Sequence, residues 1–580
     1  MHKTVIAIDQ CRAFFLAVLL IVTNIASAQI HPYPATSEHN AAAWFVDVAA
    51  EAGLTLRNVN GGIESKRYII ESTGSGVAII DYDRDGWPDI FIVNGQPLKP
   101  EKSTPPPTSH LFHNNHDGTF TDVSAKAGLQ FSGWGQGACV GDYDNDGYDD
   151  IYVTSYGKNH LFHNSGDGSF TDVSDTAGVA GNGKEWGTGC AFVDYDRDGK
   201  LDIVVANYVH FDLATTPEPG HGPGCSWKGV PVMCGPRGLA SAPNILYHNL
   251  GSGKFADVSH ASGIDKTNGH YCFSITTLDY DKDGWPDLYI ACDSTPAILY
   301  HNNHDGTFTD TAAAVGVAFN EDGREQAGMG STAADYDGDG NIDLFKTNFS
   351  DDTATLYHNN GDGTYNDETF AAGLGINSDS LGWGAMFADV DNDGWPDLIV
   401  VNGHVYPEVD SAKLGATFRE RRFLYQNLGN GKFRDSSKTS GPGLQEPLSG
   451  RGLAIADLWN DGRIEAVINN LSDRPMLLVN KAKNDNHWLA LRLIGTRSNR
   501  DGIGARVTLH GEKRVWVDEV RSGSSYNSSS SLILHFGLGT EQHLKAIDVR
   551  WPNGEMESFE APSSADQMIT LTEGKGHAVQ

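Results

Sequence analysis

The residues most able to do chemistry in this chain are aspartates. The stretch "DYDRDGWPD" sets carboxylates at Asp81, Asp83, Asp85 and Asp89, with Gly86 at its sixth position. Carboxylates at alternate positions of a tight turn suit a hard cation such as calcium, which takes roughly six to eight oxygen ligands. The pattern returns as "DYDNDGYDD" (Asp142, Asp144, Asp146, Asp150) and "DYDRDGKLD" (Asp194, Asp196, Asp198, Asp202). It returns again as "DYDKDGWPD" (Asp279, Asp281, Asp283, Asp287), "DYDGDGNID" (Asp335, Asp337, Asp339, Asp343) and "DVDNDGWPD" (Asp389, Asp391, Asp393, Asp397). A seventh copy, "DLWNDGRIE" from Asp457, is degraded, with Trp459 at the third position. Below, these are loops 1 to 7.

Four carboxylates in nine residues repel one another unless neutralised, so the spacing predicts about six structural calcium sites. Asp and Gly also favour turns without any ion, and the seventh loop leaves its metal open. A helical calcium hand would carry glutamate at position twelve. Here that position holds Ile92, Val153, Val205, Ile290, Lys346 or Val400. The loops are therefore hairpin connectors between strands.

The elements that must position them are short strands. A glycine-rich apolar strand precedes each loop and a β-branched strand such as "DIFIVN" follows. Next come a strand, a glycine turn and a fourth strand, as in "HLFHNNHDGTF". Four strands per unit, seven times over, predict an all-β fold: a seven-bladed β-propeller across residues 44–480. The first unit lacks its opening strands and the last its closing one. An N-terminal strand from Trp44 onward should therefore complete the last blade and remove two open sheet edges. Residues 487–575 are expected to form a small C-terminal β-sandwich-like domain.

Composition narrows the function. The 580 residues hold 42 Lys and Arg against 75 Asp and Glu, a formal charge of -33, which disfavours nucleic acid and anionic lipid as partners. Residues 1–28 read as a signal peptide, with "AFFLAVLLIV" followed by "ASA", and 29–43 as a linker. An exported, periplasmic or extracellular protein without a later membrane-crossing stretch is expected. An oxidising compartment permits disulfides; Cys225 and Cys234 fit one that restrains a long loop. The pairing of the other cysteines is not readable.

The acidic loops and glycine-rich strands resemble the FG-GAP (VCBS) repeats of integrin alpha-subunit propellers. The tail, "NHWLALRLIG" through "RDGIGARVTL" and "VRWPNGEMESF", resembles the ASPIC/UnbV domain. Together they look like the cartilage acidic protein family, whose bacterial members are secreted. The resemblance implies the propeller, calcium and export, and no settled activity.

All seven loops should lie on one face of the disc. Three long insertions should lie on the other: after Val93, from Asn207 to Pro243, and after Asn402. That face would also carry Glu71, Lys184, Glu185, Trp186, Arg324, Glu325, His404 and Arg451, and is the expected binding side. Trp134, Trp186, Trp227 and Trp383 are candidates for an aromatic platform there. His113, His163, His248, His301 and His358 recur at one repeat position and are expected to serve packing, because equivalent places on separate blades cannot converge. The polar run "RSGSSYNSSSS" is expected to be a loop. A protein- or glycan-binding module is the function these features favour. The alternative is an enzyme, a lyase, isomerase or cyclase, working at the channel mouth.

Overall fold

The computed structural model describes residues 44–99, 104–222, 224–482 and 484–579. The expected signal peptide and linker fall outside them. Seven four-stranded antiparallel sheets follow the repeat. Blade 1 is Val77–Ile80, Asp89–Ile92, His110–Asn114 and Phe120–Asp122. Blade 2 is Trp134–Gly141, Asp150–Tyr156, His160–Asn164 and Phe170–Asp172. Blades 3 to 6 repeat the plan, opening at Gly187–Val193, Cys272–Leu278, Ser331–Ala334 and Gly382–Ala388. The seventh sheet takes Gly450–Ala456, Glu465–Asn470 and Met476–Asn480 from the end of the array. Its outer strand is Phe45–Asp47, in register Phe45 with Asn480 and Asp47 with Leu478. The expected closure is present.

Burial explains the strand types. Second strands such as Asp89–Ile92 are buried on both faces and so read as continuous apolar runs. Fourth strands such as Phe120–Asp122 bury one residue and expose two. Apolar clusters fill the space between each pair of neighbouring sheets, including the seventh and first. The opening strand of each sheet lies against that of the next, and Gly450–Ala456 returns to Val77–Ile80. This is a β-propeller.

A polar staple follows the same circuit. The asparagine ending each third strand donates its side-chain N–H to the carbonyl of position two in the preceding blade's loop. Asn164 reaches Tyr82, Asn249 reaches Tyr143, and Asn302 reaches Tyr195, each at 2.8 Å. Asn359 reaches Tyr280 and Asn427 reaches Tyr336, also at 2.8 Å. Asn480 reaches Val390 at 2.6 Å, and Asn114 closes the ring on Leu458 at 2.9 Å. Each is a buried bond, so losing one leaves a desolvated carbonyl.

The C-terminal region forms two further sheets, three-stranded and five-stranded. In the first, His487–Ile494 pairs antiparallel with Leu534–Gly539 and parallel with Gln567–Thr572. Residues 521–531, the serine-rich run, leave this domain and enter the centre of the ring. Ser529 N–H donates to Val77 O at 3.0 Å and Ile79 N–H to Ser529 O at 2.9 Å. On the far side, Ser525 exchanges backbone bonds of 2.7 and 3.1 Å with Ser331. Ser522 Oγ donates to Val140 O at 2.6 Å. The run thus gives partners to backbone groups on the inner edges of the blades, which would otherwise stand open. At its tip Tyr526 is fully buried, 4.6 Å from the Trp383 ring and 5.5 Å from Phe273. The expected loop is a plug.

Candidate metal centres on the acidic loops

All seven loops share one turn. The fourth residue has a left-handed backbone (Arg84, Asn145, Arg197, Lys282, Gly338, Asn392, Asn460, φ from 53° to 76°), and so does the glycine at position six (φ from 80° to 100°). Only glycine enters that second region without steric cost. The turn aims the position-six N–H at the position-one carboxylate: Gly147 on Asp142 at 2.7 Å, Gly284 on Asp279 at 2.9 Å, Gly394 on Asp389 at 2.7 Å.

Position nine is the anchor. Asp89, Asp150, Asp202, Asp287 and Asp343 are fully buried and Asp397 nearly so. One oxygen of each accepts the backbone N–H of the staple asparagine, at 2.8 Å for Asn114 on Asp89 and 2.7 Å for Asn427 on Asp397. Burial pushes the carboxyl pKa up to about 9 at Asp89, about 7 at Asp150, Asp202 and Asp287, and about 8 at Asp343. At position one, burial first and then neighbouring carboxylates raise Asp142 and Asp194 to about 8 and Asp335 to about 7. A divalent cation bound among these groups would favour their charged form.

The donor atoms fit such an ion. Asp83, Asp85 and His113 bring ligand atoms within 4.8 Å of one another, and so do the corresponding trios of loops 2 to 5. Buried carboxylate oxygens Asp83 Oδ1, Asp194 Oδ1 and Asp279 Oδ1 make no hydrogen bond. A buried acceptor without a partner is costly, and a cation would satisfy it. Asp81, Asp144, Asp146, Asp196, Asp198, Asp281, Asp283, Asp337, Asp339, Asp389, Asp391 and Asp393 stand at the remaining first, third and fifth positions of these turns.

The histidine reading needs correction. The five recurrent histidines do not converge on one another, as expected, yet they do more than pack. Each stands beside its own blade's acidic loop: His163 Nδ1 is 3.2 Å from Asp150 Oδ1, and His358 Nδ1 is 3.2 Å from Asp343 Oδ1. Position nine begins the second strand, and the histidine sits one residue before the staple asparagine on the third strand paired with it, so register alone sets them side by side. That pairing was the signal available in sequence. Blade 6 has Gln426 instead, donating to Asp391 at 3.0 Å, and blade 7 has Val479 at that place.

Loop 7 keeps the turn but changes the chemistry. Gly462 N–H still donates to Asp457 at 2.7 Å. Arg463 at position seven lays its Nε 3.0 Å from both oxygens of Asp461. A side-chain cation there pairs with the position-five carboxylate, as Lys200 does with Asp198 in loop 3; what sets loop 7 apart is Trp459 in place of the third-position aspartate.

With this geometry in view, comparison with known proteins is direct. A model described as an FG-GAP-like repeat matches residues 81–153, 142–205, 279–346 and 335–400, and one described as ASPIC and UnbV matches 495–578. The chain carries FG-GAP-like repeats and an ASPIC and UnbV domain. It is similar to cartilage acidic protein 1 of mouse, 24% identical over 377 residues, covering 64% of this chain and 52% of that one. The Xenopus tropicalis protein is 24% identical over 508 residues, covering 83% and 70%. The chain spans about half the length of the mouse and human relatives it matches. Among solved structures, a lectin from Burkholderia pseudomallei aligns with TM-score 0.44 and 10% identity, over 71% of this chain and 97% of that one. An Agrocybe aegerita lectin aligns at 0.37 and 16%, over 68% and 88%.

The ASPIC and UnbV domain docks on the FG-GAP loops. Arg492 pairs with Asp81 at 3.1 Å and Arg550 with Asp279. Asp142 N–H donates to Asp501 at 2.7 Å, and His535 Nε2 meets Asn392 Oδ1 at 2.7 Å.

The opposite face does not assemble the charged site expected of it. Glu71 is buried and accepts backbone N–H bonds from Gly62, Arg67 and Tyr68 at 2.7–2.9 Å. Arg451 is fully buried, donates to Ser72 O and Gly450 O at 2.8 Å, and stacks 4.0 Å from the Trp383 ring. His404 Nδ1 accepts the Tyr406 N–H at 3.1 Å, so Nε2 carries the proton and donates to Ser350 Oγ at 3.2 Å. That polarity is wrong for a base acting on Ser350. Burial and then the Arg451 charge hold the His404 pKa down to about 3. Glu185 accepts from Asn182 at 2.7 Å, and Lys184 and Arg324 are exposed. Trp186, Trp383 and Trp134 are buried in the aromatic layer beneath the insertions, which leaves Trp227 half-buried at the surface. The long apolar insertions supply that layer, which is why the platform is mostly interior.

The insertion from Asn207 to Pro243 is clamped as expected by a Cys225–Cys234 disulfide. Ion pairs tie it across the disc: Glu218 with Arg67, Lys228 with Asp351 at 2.7 Å, Arg237 with Glu325 at 3.4 Å. A second disulfide, Cys272–Cys292, joins the first two strands of blade 4; Cys139 and Cys190 are free and buried. Among the described residues no helix is long and apolar enough to cross a membrane.

Proposed function

We propose that this chain is an exported, calcium-loaded β-propeller that binds a protein or glycan through its insertion face. The observation that carries the reading is the division of labour between faces. The FG-GAP loops hold buried acceptors without partners and lie against the ASPIC and UnbV domain. The insertion face is left to solvent, with half-buried aromatics Tyr68, Trp227, Tyr271 and Phe349 among exposed Arg67, Glu218, Lys228 and Arg237. Half-buried rings beside hydrogen-bonding groups suit sugar faces and protein side chains alike. Loops 1 to 6 supply oxygen donors of the calcium type; loop 7 lacks the third-position carboxylate. The ions hold the turns, and the turns hold the ring, so calcium acts at a distance from the ligand.

A printed glycan array and a panel of immobilised proteins, probed with the chain in calcium and again after chelation, test this. Calcium-dependent binding that Trp227→Ala weakens by about tenfold is the expected result. Binding unchanged by Trp227→Ala, and abolished instead by substitutions on the loop face, would overturn the assignment of the face.

A further inference from the structure

The blades meet along their first strands, and the repeat fixes which side chains face one another there. Relative to the aspartate that opens each acidic loop, the residue three before it in one blade meets the residue four before it in the next. At the seam of blades 4 and 5 these are Thr276 and Ser331, whose hydroxyl oxygens stand 2.8 Å apart. At the seams of blades 1 with 2 and 3 with 4 they are Ala78 with Ala138 and Ala191 with Ile275, each pair inside one apolar cluster. At the seam of blades 2 and 3 both are cysteines, Cys139 and Cys190.

The two strands run close at this seam. A side chain at Gly137 would meet the Thr188 carbonyl at 2.6 Å. Cys190 Sγ donates to Tyr152 O at 3.7 Å, and Tyr152 is the residue paired with Cys139 across blade 2. Both cysteines belong to one apolar cluster, Cys139 fully buried and Cys190 4% exposed. Burial, and then the Cys190 thiol beside it, push the Cys139 pKa well above the usual thiol range. Two thiols of neighbouring blades therefore touch, in a chain whose other four described cysteines are bridged.

We propose that Cys139 and Cys190 form a third disulfide, which fastens blade 2 to blade 3 at the inner ring. This rests on the export in the function proposed above. The oxidant is an external disulfide of the glutathione or thiol-oxidoreductase class. One cysteine displaces a thiol from that oxidant and becomes a mixed disulfide; the second cysteine, losing its proton, attacks it. One sulfur–sulfur bond forms in the protein and one breaks in the oxidant, and two electrons and both protons leave as two thiols. Once the seam has closed, both sulfurs are enclosed and a protonated Cys139 is a poor nucleophile, so the bond is made while the chain folds. The C-terminal run enters the ring on these same two strands. Ser522 Oγ donates to Val140 O at 2.6 Å and accepts the Phe192 N–H at 3.4 Å, and Gly523 packs on Cys190 O. The bond holds together the strands that seat the plug.

The test uses the full chain, produced by export into an oxidising compartment, denatured without reductant in N-ethylmaleimide and mapped by peptide mass. A crosslinked pair of peptides carrying Cys139 and Cys190, with neither alkylated, is the expected result. Cys190→Ala should leave Cys139 as one alkylated thiol. Cys139→Thr with Cys190→Ser, which repeats the hydroxyl pair of the blade 4–5 seam, should fold and melt about 3 °C lower; an equal melt would overturn the fastening role. Alkylation of both Cys139 and Cys190 while Cys225–Cys234 and Cys272–Cys292 stay intact overturns the proposal. Should those two bridges be reduced as well, it is the export that fails, and the same map after refolding in a glutathione redox buffer decides the pair.

Discussion

The two faces of the disc spend their charged residues in opposite ways. On the insertion face, Glu71, His404 and Arg451 are enclosed and satisfied by backbone groups and neighbouring serine hydroxyls, so their charge and polarity serve the architecture. On the loop face, the carboxylates of loops 1 to 6 are equally crowded, yet Asp194 Oδ1 and Asp279 Oδ1 are left without a hydrogen bond. The comparison teaches that burial of a charged group marks a site only when its bonding is incomplete. A buried arginine on four carbonyls is finished; a buried carboxylate with an unpaired oxygen has room for a ligand.

The largest expected effect breaks the comparison at the loop face. Removing calcium should lower the melting temperature by more than about 10 °C. A site held at a hundredfold excess over its dissociation constant contributes about 2.7 kcal/mol, and several sites add. Calorimetry with and without chelator measures this, and an unchanged melt would place the loops with the finished groups. Next, Tyr526→Ala empties a fully enclosed aromatic position at the meeting of the plug and the insertion-face layer. It should destabilise the chain by about 3–5 kcal/mol in denaturant unfolding without altering calcium stoichiometry.

A smaller effect concerns pH. The His404 pKa is held near 3, below the usual 6.5. Between those values the unfolded chain takes up a proton that the folded chain refuses. Stability from this group is complete above about pH 6.5 and is lost as pH falls, by at most about 1.4 kcal/mol per unit. The difference in stability between the native sequence and His404→Gln, followed from pH 7 to 4, should shrink accordingly. Smallest of all, Arg67→Ala removes an exposed pair with Glu218 and should change stability by less than about 0.5 kcal/mol. A much larger loss would show that the insertion is held by its ion pairs rather than by its disulfide and apolar underside.

Much of this molecule was legible in its residues. Six acidic turns in register, the strand order around them and the incomplete first and last units fixed the repeat and its closure, because turn chemistry and strand alternation are local properties. The loop 7 defect, Trp459 in place of the third-position aspartate, was visible too. The pairing of each histidine with its own loop could have been read from strand register, since His113 and Asp89 occupy neighbouring strands a fixed distance from the staple asparagine.

What only the tertiary structure decided depends on partners distant in sequence. Whether Arg451 is a catalytic cation or a buried brace turns on carbonyls at Ser72 and Gly403, hundreds and tens of residues away. Whether "RSGSSYNSSSS" is a surface loop or the plug of the ring turns on the inner strands it meets in blades 1, 2, 5 and 7. Local sequence states what a residue can offer; which offers remain open is settled by the groups that folding brings to it.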